Sequence, residues 1–347
     1  MAYSTIPKPS LYFNTKLYTG TGSSNAITGV GFQPDWVWVK NRTGTNNHRM
    51  ANAVSGSSDV HSSNITNVGA DSSYFSSFNS DGFTVGTAAD PNVNGGSFVS
   101  WNWKANGAGS ANTSGSINTT ATSVNTTAGF SISKYVGTGS AATVGHGLGV
   151  VPKMLMIKDL SAATDWTVYH VGVGNTKRLV LNTTGAQEDD ASFFNDTTPT
   201  SSVFSIGSSS AVNYSGRNYI CYAFAEKKGY SKFGSYKGNG AADGTFVYTG
   251  FKPAFILQKL TTSGSTGWGM FDSTRSPNNV SKNMILANSS AVEDTGNAGA
   301  IDFLSNGFKW RTTDSWFNDS NENIFTAFAE EPLVANSGTD GVPATAR

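Results

Sequence analysis

Tyr18-Thr19-Gly20-Thr21-Gly22 returns as Tyr135-Val136-Gly137-Thr138-Gly139 and again as Tyr236-Lys237-Gly238-Asn239-Gly240. Sixteen or seventeen residues after each tyrosine stands a proline: Pro34, Pro152 or Pro253. A strongly apolar run then ends in a lysine six residues past the proline, at Lys40, Lys158 and Lys259. The period, about 100 residues, is too long for a solenoid unit of roughly 20–50 residues and fits small tandem domains, each able to bury a core.

The run after the proline is the clearest strand. Trp36 and Trp38 share one face by the two-residue period, as do Met154 and Met156, and Phe255 and Leu257. The opposite face is also apolar in copies one and two, which predicts a strand covered on both sides. Gln258 predicts a less covered second face in copy three. Each copy closes with a second strand, in which Trp103, Phe224 and Phe328 occupy one aligned position. Asp81-Gly82 and Asn306-Gly307 are hairpin signals, and Lys177–Leu181 aligns with Lys282–Leu286. No long 3.6-residue periodicity is present. The expected fold is all-β, three tandem antiparallel β-sandwich units of jelly-roll-like type. The expected boundaries are residues 1–104, a Gly/Ser/Thr/Asn-rich linker over 105–128, residues 129–228, residues 229–332, and a polar tail over 333–347. The long linker places copy one at a distance, whereas copies two and three, joined by Lys227-Lys228-Gly229, pack closely.

Charge is dilute. Lys+Arg 23 balances Asp+Glu 23, and charged residues make up 13%. Such a surface has no field to steer the chain onto nucleic acid or an anionic membrane. The opening residues lack a basic segment followed by an apolar one, so no signal peptide is expected. No stretch approaches the roughly 20 apolar residues of a membrane span. A lone Cys221 reads as a small buried hydrophobe. A surface rich in Ser, Thr, Asn and Gly, without export signal or disulfide, fits a protein folded in a host cytoplasm and released by lysis, and equally a cytosolic or non-classically exported one.

Candidate chemistry is sparse. The glycine turns lack the Lys-Ser/Thr of a phosphate loop and open no helix, so tight turns are expected there. His48, His61, His146 and His170 have no metal-ligand spacing, and no metal or cofactor is expected. Glu188-Asp189-Asp190 and Glu293-Asp294 read as solvated loops before calcium ligands. Glu226 and Glu330 recur at a strand end, but copy one has Lys104 there, so they read as edge charges and not as a glycosidase pair. No catalytic residue is expected. Trp36, Trp38, Trp101, Trp103, Trp166 and Trp268 are expected in cores. Trp316, in a polar loop, and Tyr214, in the roughly equivalent loop of copy two, are the candidate ligand contacts.

The repeat resembles an uncharacterised domain of marine bacteriophage virion proteins, of cyanophage-type podoviruses among others, labelled as tail fibres. The resemblance rests on Tyr18 to Gly22, on Gly31-Phe32-Gln33-Pro34-Asp35-Trp36-Val37-Trp38-Val39-Lys40-Asn41-Arg42, on Asp81-Gly82-Phe83, and on Trp101-Asn102-Trp103-Lys104. It implies a non-enzymatic structural protein located in the virion: a tail fibre, spike or capsid decoration. Its partners would be other virion proteins and further copies of itself, a trimer being usual for such appendages, with a host surface glycan as a further contact. The alternatives are a carbohydrate-binding module and a polysaccharide depolymerase.

Overall fold

The pleat puts Trp36 and Trp38 on one face of their strand and Val37 and Val39 on the other, and all four side chains are buried. The structure, a computed structural model, describes Ser4, Ile6 and residues 8–69 and 71–334. The polar tail expected over 333–347 lies outside the described residues beyond Val334.

The chain is all-β, and each copy folds into two antiparallel sheets. The large sheet of copy one runs in the order Phe13–Thr19, Ser97–Trp103, Trp36–Asn41, Arg49–Asn52, Gly56–His61. Copy three repeats that order with Ser231–Lys237, Glu322–Pro332, Phe251–Leu260, Gly269–Asp272 and Ile285–Leu286. Copy two does the same with Phe130–Val136, Asn218–Phe224, Met154–Asp159, Thr167–His170 and Lys177–Val180, and gains a strand at each edge. In every copy the opening and closing strands pair, and the closing strand also pairs with the strand after the proline. Trp103 is thus flanked by Phe13 and Trp36, Phe224 by Phe130 and Met154, and Phe328 by Ser231 and Phe255. The smaller sheet holds the predicted hairpins, Phe75–Asn79 with Gly82–Val85 and Ile301–Leu304 with Gly307–Trp310.

Between its two sheets each copy buries a core of its own. Val37, Val39 and Phe98 lie in the first, Leu155, Ile157 and Phe204 in the second, Ile256, Phe308 and Phe325 in the third. Gln258 also faces this third core and is buried. Its Nε2 donates to the Trp316 carbonyl at 2.9 Å and to Asn323 Oδ1 at 2.6 Å. The face expected to be less covered is covered: the two acceptors take the Nε2 protons, while Oε1 is buried without a hydrogen-bond partner among the described residues.

The other face of each large sheet turns inward onto a fourth core, common to all three copies. Trp103, Phe224 and Phe328, the residues aligned in sequence, meet there. Their ring centroids lie 6.5, 5.8 and 5.9 Å apart in the pairs Trp103–Phe224, Trp103–Phe328 and Phe224–Phe328. Around them the contacts run cyclically. Trp36 of copy one stacks on Tyr222 of copy two at 4.6 Å. Thr326 of copy three donates to Met154 Sδ of copy two at 3.2 Å. Phe255 of copy three packs on Trp101 of copy one at 5.7 Å. Only about 10 Å³ of free space is left among these rings, so the axis is filled and is no channel.

Polar contacts repeat the same cycle. Trp166 Nε1 donates to the Ser62 carbonyl of copy one at 2.8 Å, and Trp268 Nε1 to the Val180 carbonyl of copy two at 2.9 Å. His48 holds the corresponding place in copy one, and its Nε2 lies 3.0 Å from the Leu286 carbonyl of copy three. Trp38 Nε1 donates to His48 Nδ1, which leaves Nε2 as the protonated nitrogen and the donor. The last junction, between copies three and one, also carries charge. Arg42 pairs with Glu293 at 2.7 Å, Glu293 with Arg275 at 2.8 Å, and Trp101 Nε1 donates to Asp272 at 3.0 Å.

Copy one therefore does not stand at a distance, and the three copies are not a string of separate domains. Residues 105–128 are not a free linker either. Asp35 accepts from the Ala105 and Gly107 amides, Ile117 is buried in the core of copy two, and Ala121–Asn125 adds a strand beside Phe130–Val136. Composition alone concealed this, because small polar residues that lack a core of their own can still satisfy their backbone against a neighbour.

Candidate functional site

The recurring glycine turn folds against a residue that its own motif does not contain. Three one-turn helices, Ala89–Asn92, Ser210–Asn213 and Ser315–Asn318, each end in a fully buried asparagine. The Oδ1 of Asn92, Asn213 and Asn318 accepts the Thr21, Thr138 and Asn239 amides at 2.9, 2.7 and 3.1 Å. The Nδ2 donates to two carbonyls, those of Ser23 and Gly86, of Ser140 and Gly207, and of Ala241 and Thr312. The motif tyrosines donate to the carbonyl just before each asparagine, at 2.7, 2.7 and 2.8 Å. The first glycine admits no Cβ, which at Gly238 would lie 2.0 Å from the Asn318 backbone, and Gly22, Gly139 and Gly240 take positive φ. The backbone donors that would cradle a phosphate are used internally. The asparagines escaped notice in the sequence because their distance from the turn changes with every loop insertion.

The repeat lysines are buried at the strand ends, and each donates to backbone carbonyls, Lys259 also to the Thr266 hydroxyl. Lys158 Nζ donates to Thr164 at 2.6 Å and across to Thr66 of copy one at 3.1 Å. Lys259 Nζ donates to Thr266 at 2.7 Å and across to Thr184 of copy two at 3.1 Å. Lys40 Nζ stays within its copy, on Asn41 and Gly44. Burial lowers all three from 10.5 to about 8. Between those values the unfolded chain holds protons that the folded one has released, so stability rises with pH. Above the ordinary tyrosine value of 10.0 the sign reverses, since Tyr18, Tyr135, Tyr222, Tyr230 and Tyr236 are held neutral by burial and only the unfolded chain ionises. A urea midpoint higher at pH 9.5 than at pH 7.5, by roughly 1 kcal/mol or more of unfolding free energy, is the expected result. An unchanged or lower midpoint would contradict it.

The carboxylates weighed in the sequence have partners. Glu188 and Asp189 pair with Arg178 and Lys177, and Asp190 caps the helix Ala191–Phe194. Glu293 lies between Arg42 and Arg275. Glu226 pairs with Lys232, while Glu330 pairs with Lys252 and accepts from Ser273. Among the described residues no group of three or more His, Cys, Asp or Glu is placed to hold a metal ion.

Tyr214 and Trp316 are not brought together. Tyr214 follows the clamp asparagine of copy two, is 51% exposed, and lies under the Arg217 guanidinium at 4.1 Å. Trp316 precedes the clamp asparagine of copy three and is half-buried against its core. Asp314 caps its helix by accepting the Trp316 amide at 2.8 Å. Trp316 walls a cavity of about 350 Å³ with Met284, Leu286, Val292, Asp294 and Asp314. The other seven tryptophans are buried at 2% exposure or less. Two further exposed aromatics, Phe246 and Tyr248, share one face of a short edge strand in copy three. Their alternation was legible in the sequence and was overlooked.

Among the described residues no helix is long and apolar enough to cross a membrane. A family model described as a domain of unknown function (DUF7483) matches residues 8–332, so that one domain spans all three copies. No curated protein matches the chain.

Proposed function

The chain belongs to the DUF7483 family, a domain of unknown function, and we propose on its geometry that it is a non-enzymatic structural protein of a bacteriophage virion, as part of a tail fibre, spike or head-surface decoration. The observation that carries this is the use made of the shared residues. The polar groups common to all three copies, the clamp asparagines, motif tyrosines and repeat lysines, form bonds inside the fold, and the shared aromatics fill the axis. Such a scaffold supports a role in which shape and rigidity matter and chemistry does not. The virion assignment draws on the motif resemblance and on the sparse, balanced surface charge. Partners in this role are other virion proteins and further copies of the chain.

Immunogold labelling of intact particles of the encoding phage tests it. Gold on tail or head surface is expected, and unlabelled particles beside a positive lysate would refute it. A glycan-contacting role is favoured by one specific observation, the cavity beside Trp316. A depolymerase would release reducing ends from host capsule or lipopolysaccharide, and such release by the purified protein would overturn the non-enzymatic assignment.

A further inference from the structure

Copies two and three match without gaps over the stretch where Lys177 aligns with Lys282 and Glu188 with Glu293. In that frame Phe193 aligns with Ala298. Ala211 aligns with Trp316 through the clamp asparagines Asn213 and Asn318. Copy two therefore has a large residue then a small one, and copy three the reverse. Phe193 is buried and stacked under the Arg178 guanidinium at 3.9 Å. The exchange does not conserve shape. In copy three a cavity is left open, with both Ala298 and Trp316 in its wall.

We propose that this cavity binds one uncharged saccharide ring of a glycan. Its size is that of a small-ligand site. Trp316 supplies a flat face for the apolar side of a pyranose, and Met284, Leu286 and Val292 complete an apolar wall. Asp314 and Asp294 each use one oxygen to hold a backbone amide, of Trp316 at 2.8 Å and of Gly296 at 2.7 Å. The second oxygen of each has no partner among the described residues and accepts a hydroxyl. No basic residue lines the cavity, so two carboxylates reject phosphates, sialic acids and uronic acids. An organic cation would be drawn to the same charges. But a cation cage needs several aromatic faces, and here there is one.

The proposal rests on the glycan-contact role and not on where the protein is displayed, so particle labelling and ligand binding fail separately. The test is saturation-transfer NMR on the full chain with methyl glucoside, methyl galactoside, methyl mannoside and N-acetylglucosamine at millimolar concentration. Transfer to at least one is expected, together with protection of Trp316, the one tryptophan not fully buried, from acrylamide quenching. Glucuronate should show neither effect. Ala298→Phe restores the residue found in copy two, and Trp316→Ala removes the stacking face. Both should abolish transfer while the thermal melt keeps its single midpoint. Transfer to none of the four sugars, transfer that survives in A298F, or displacement of the sugar by tetramethylammonium at equal concentration would each overturn the proposal.

Discussion

Trp103→Ala lowers the stability of the whole chain by about 3–5 kcal/mol, the cost of an aromatic-to-alanine change in a packed core. The ring of Trp103 lies within 6.5 Å, centroid to centroid, of Phe13, Trp36, Phe224, Phe255 and Phe328, which come from all three copies. A cavity there weakens every large sheet at once. Denaturant unfolding should therefore stay a single transition whose midpoint falls, because no copy can keep its inner face covered when the others open. Three independent domains would behave otherwise. About a third of the far-UV signal would shift, and the rest would melt where it did before. That second outcome would refute the shared core. Tyr214→Ala is the control, since its side chain is exposed and outside the cores, and should change stability by no more than about 0.5 kcal/mol.

The second large effect belongs to a clamp. Asn213→Ala strands the Thr138 amide and the Ser140 and Gly207 carbonyls, all joined to that one buried amide. With a buried unsatisfied group costing about 1–3 kcal/mol, and solvent reaching part of the turn, a net loss of about 2–4 kcal/mol is expected. Asn213→Asp should be no better, because it keeps the acceptor but sets a negative charge against two carbonyls. The readout that separates a clamp from ordinary packing is local. Amides 137–140 should lose exchange protection before the strand they follow. Uniform loss across copy two would show that Asn213 merely fills space.

What could be read from the residues alone follows a physical line. Strand positions and their apolar faces were legible, because a pleat repeats every two residues and the tryptophans obey it. Even the double burial of Trp36–Val39 was visible, as a run apolar on both faces. Its meaning was not, since sequence does not say whether the second cover comes from the same copy or another. The equivalence of Trp103, Phe224 and Phe328 was seen, yet their meeting is a matter of tertiary assembly. Residues 105–128 are tied down mostly through backbone amides, to Asp35 and to the strand Phe130–Val136, and the one buried Ile117 leaves little compositional trace of this. The cavity was out of reach altogether. Its wall holds Ala298 where copy two has Phe193 and Trp316 where copy two has Ala211, and those positions become neighbours only in the folded chain.

Threefold order of the kind sought among subunits is present here inside one polypeptide. That has a hereditary consequence. In an assembly of three identical chains, any substitution is written three times or not at all, so a useful change in one place is bound to its cost in the other two. Here Trp316 could arise once while Asp90 and Ala211, at the matching places, kept a salt link to Arg49 and a small methyl group. Covalent fusion of the copies separates their fates, leaving two free to hold the frame while the third acquires something new.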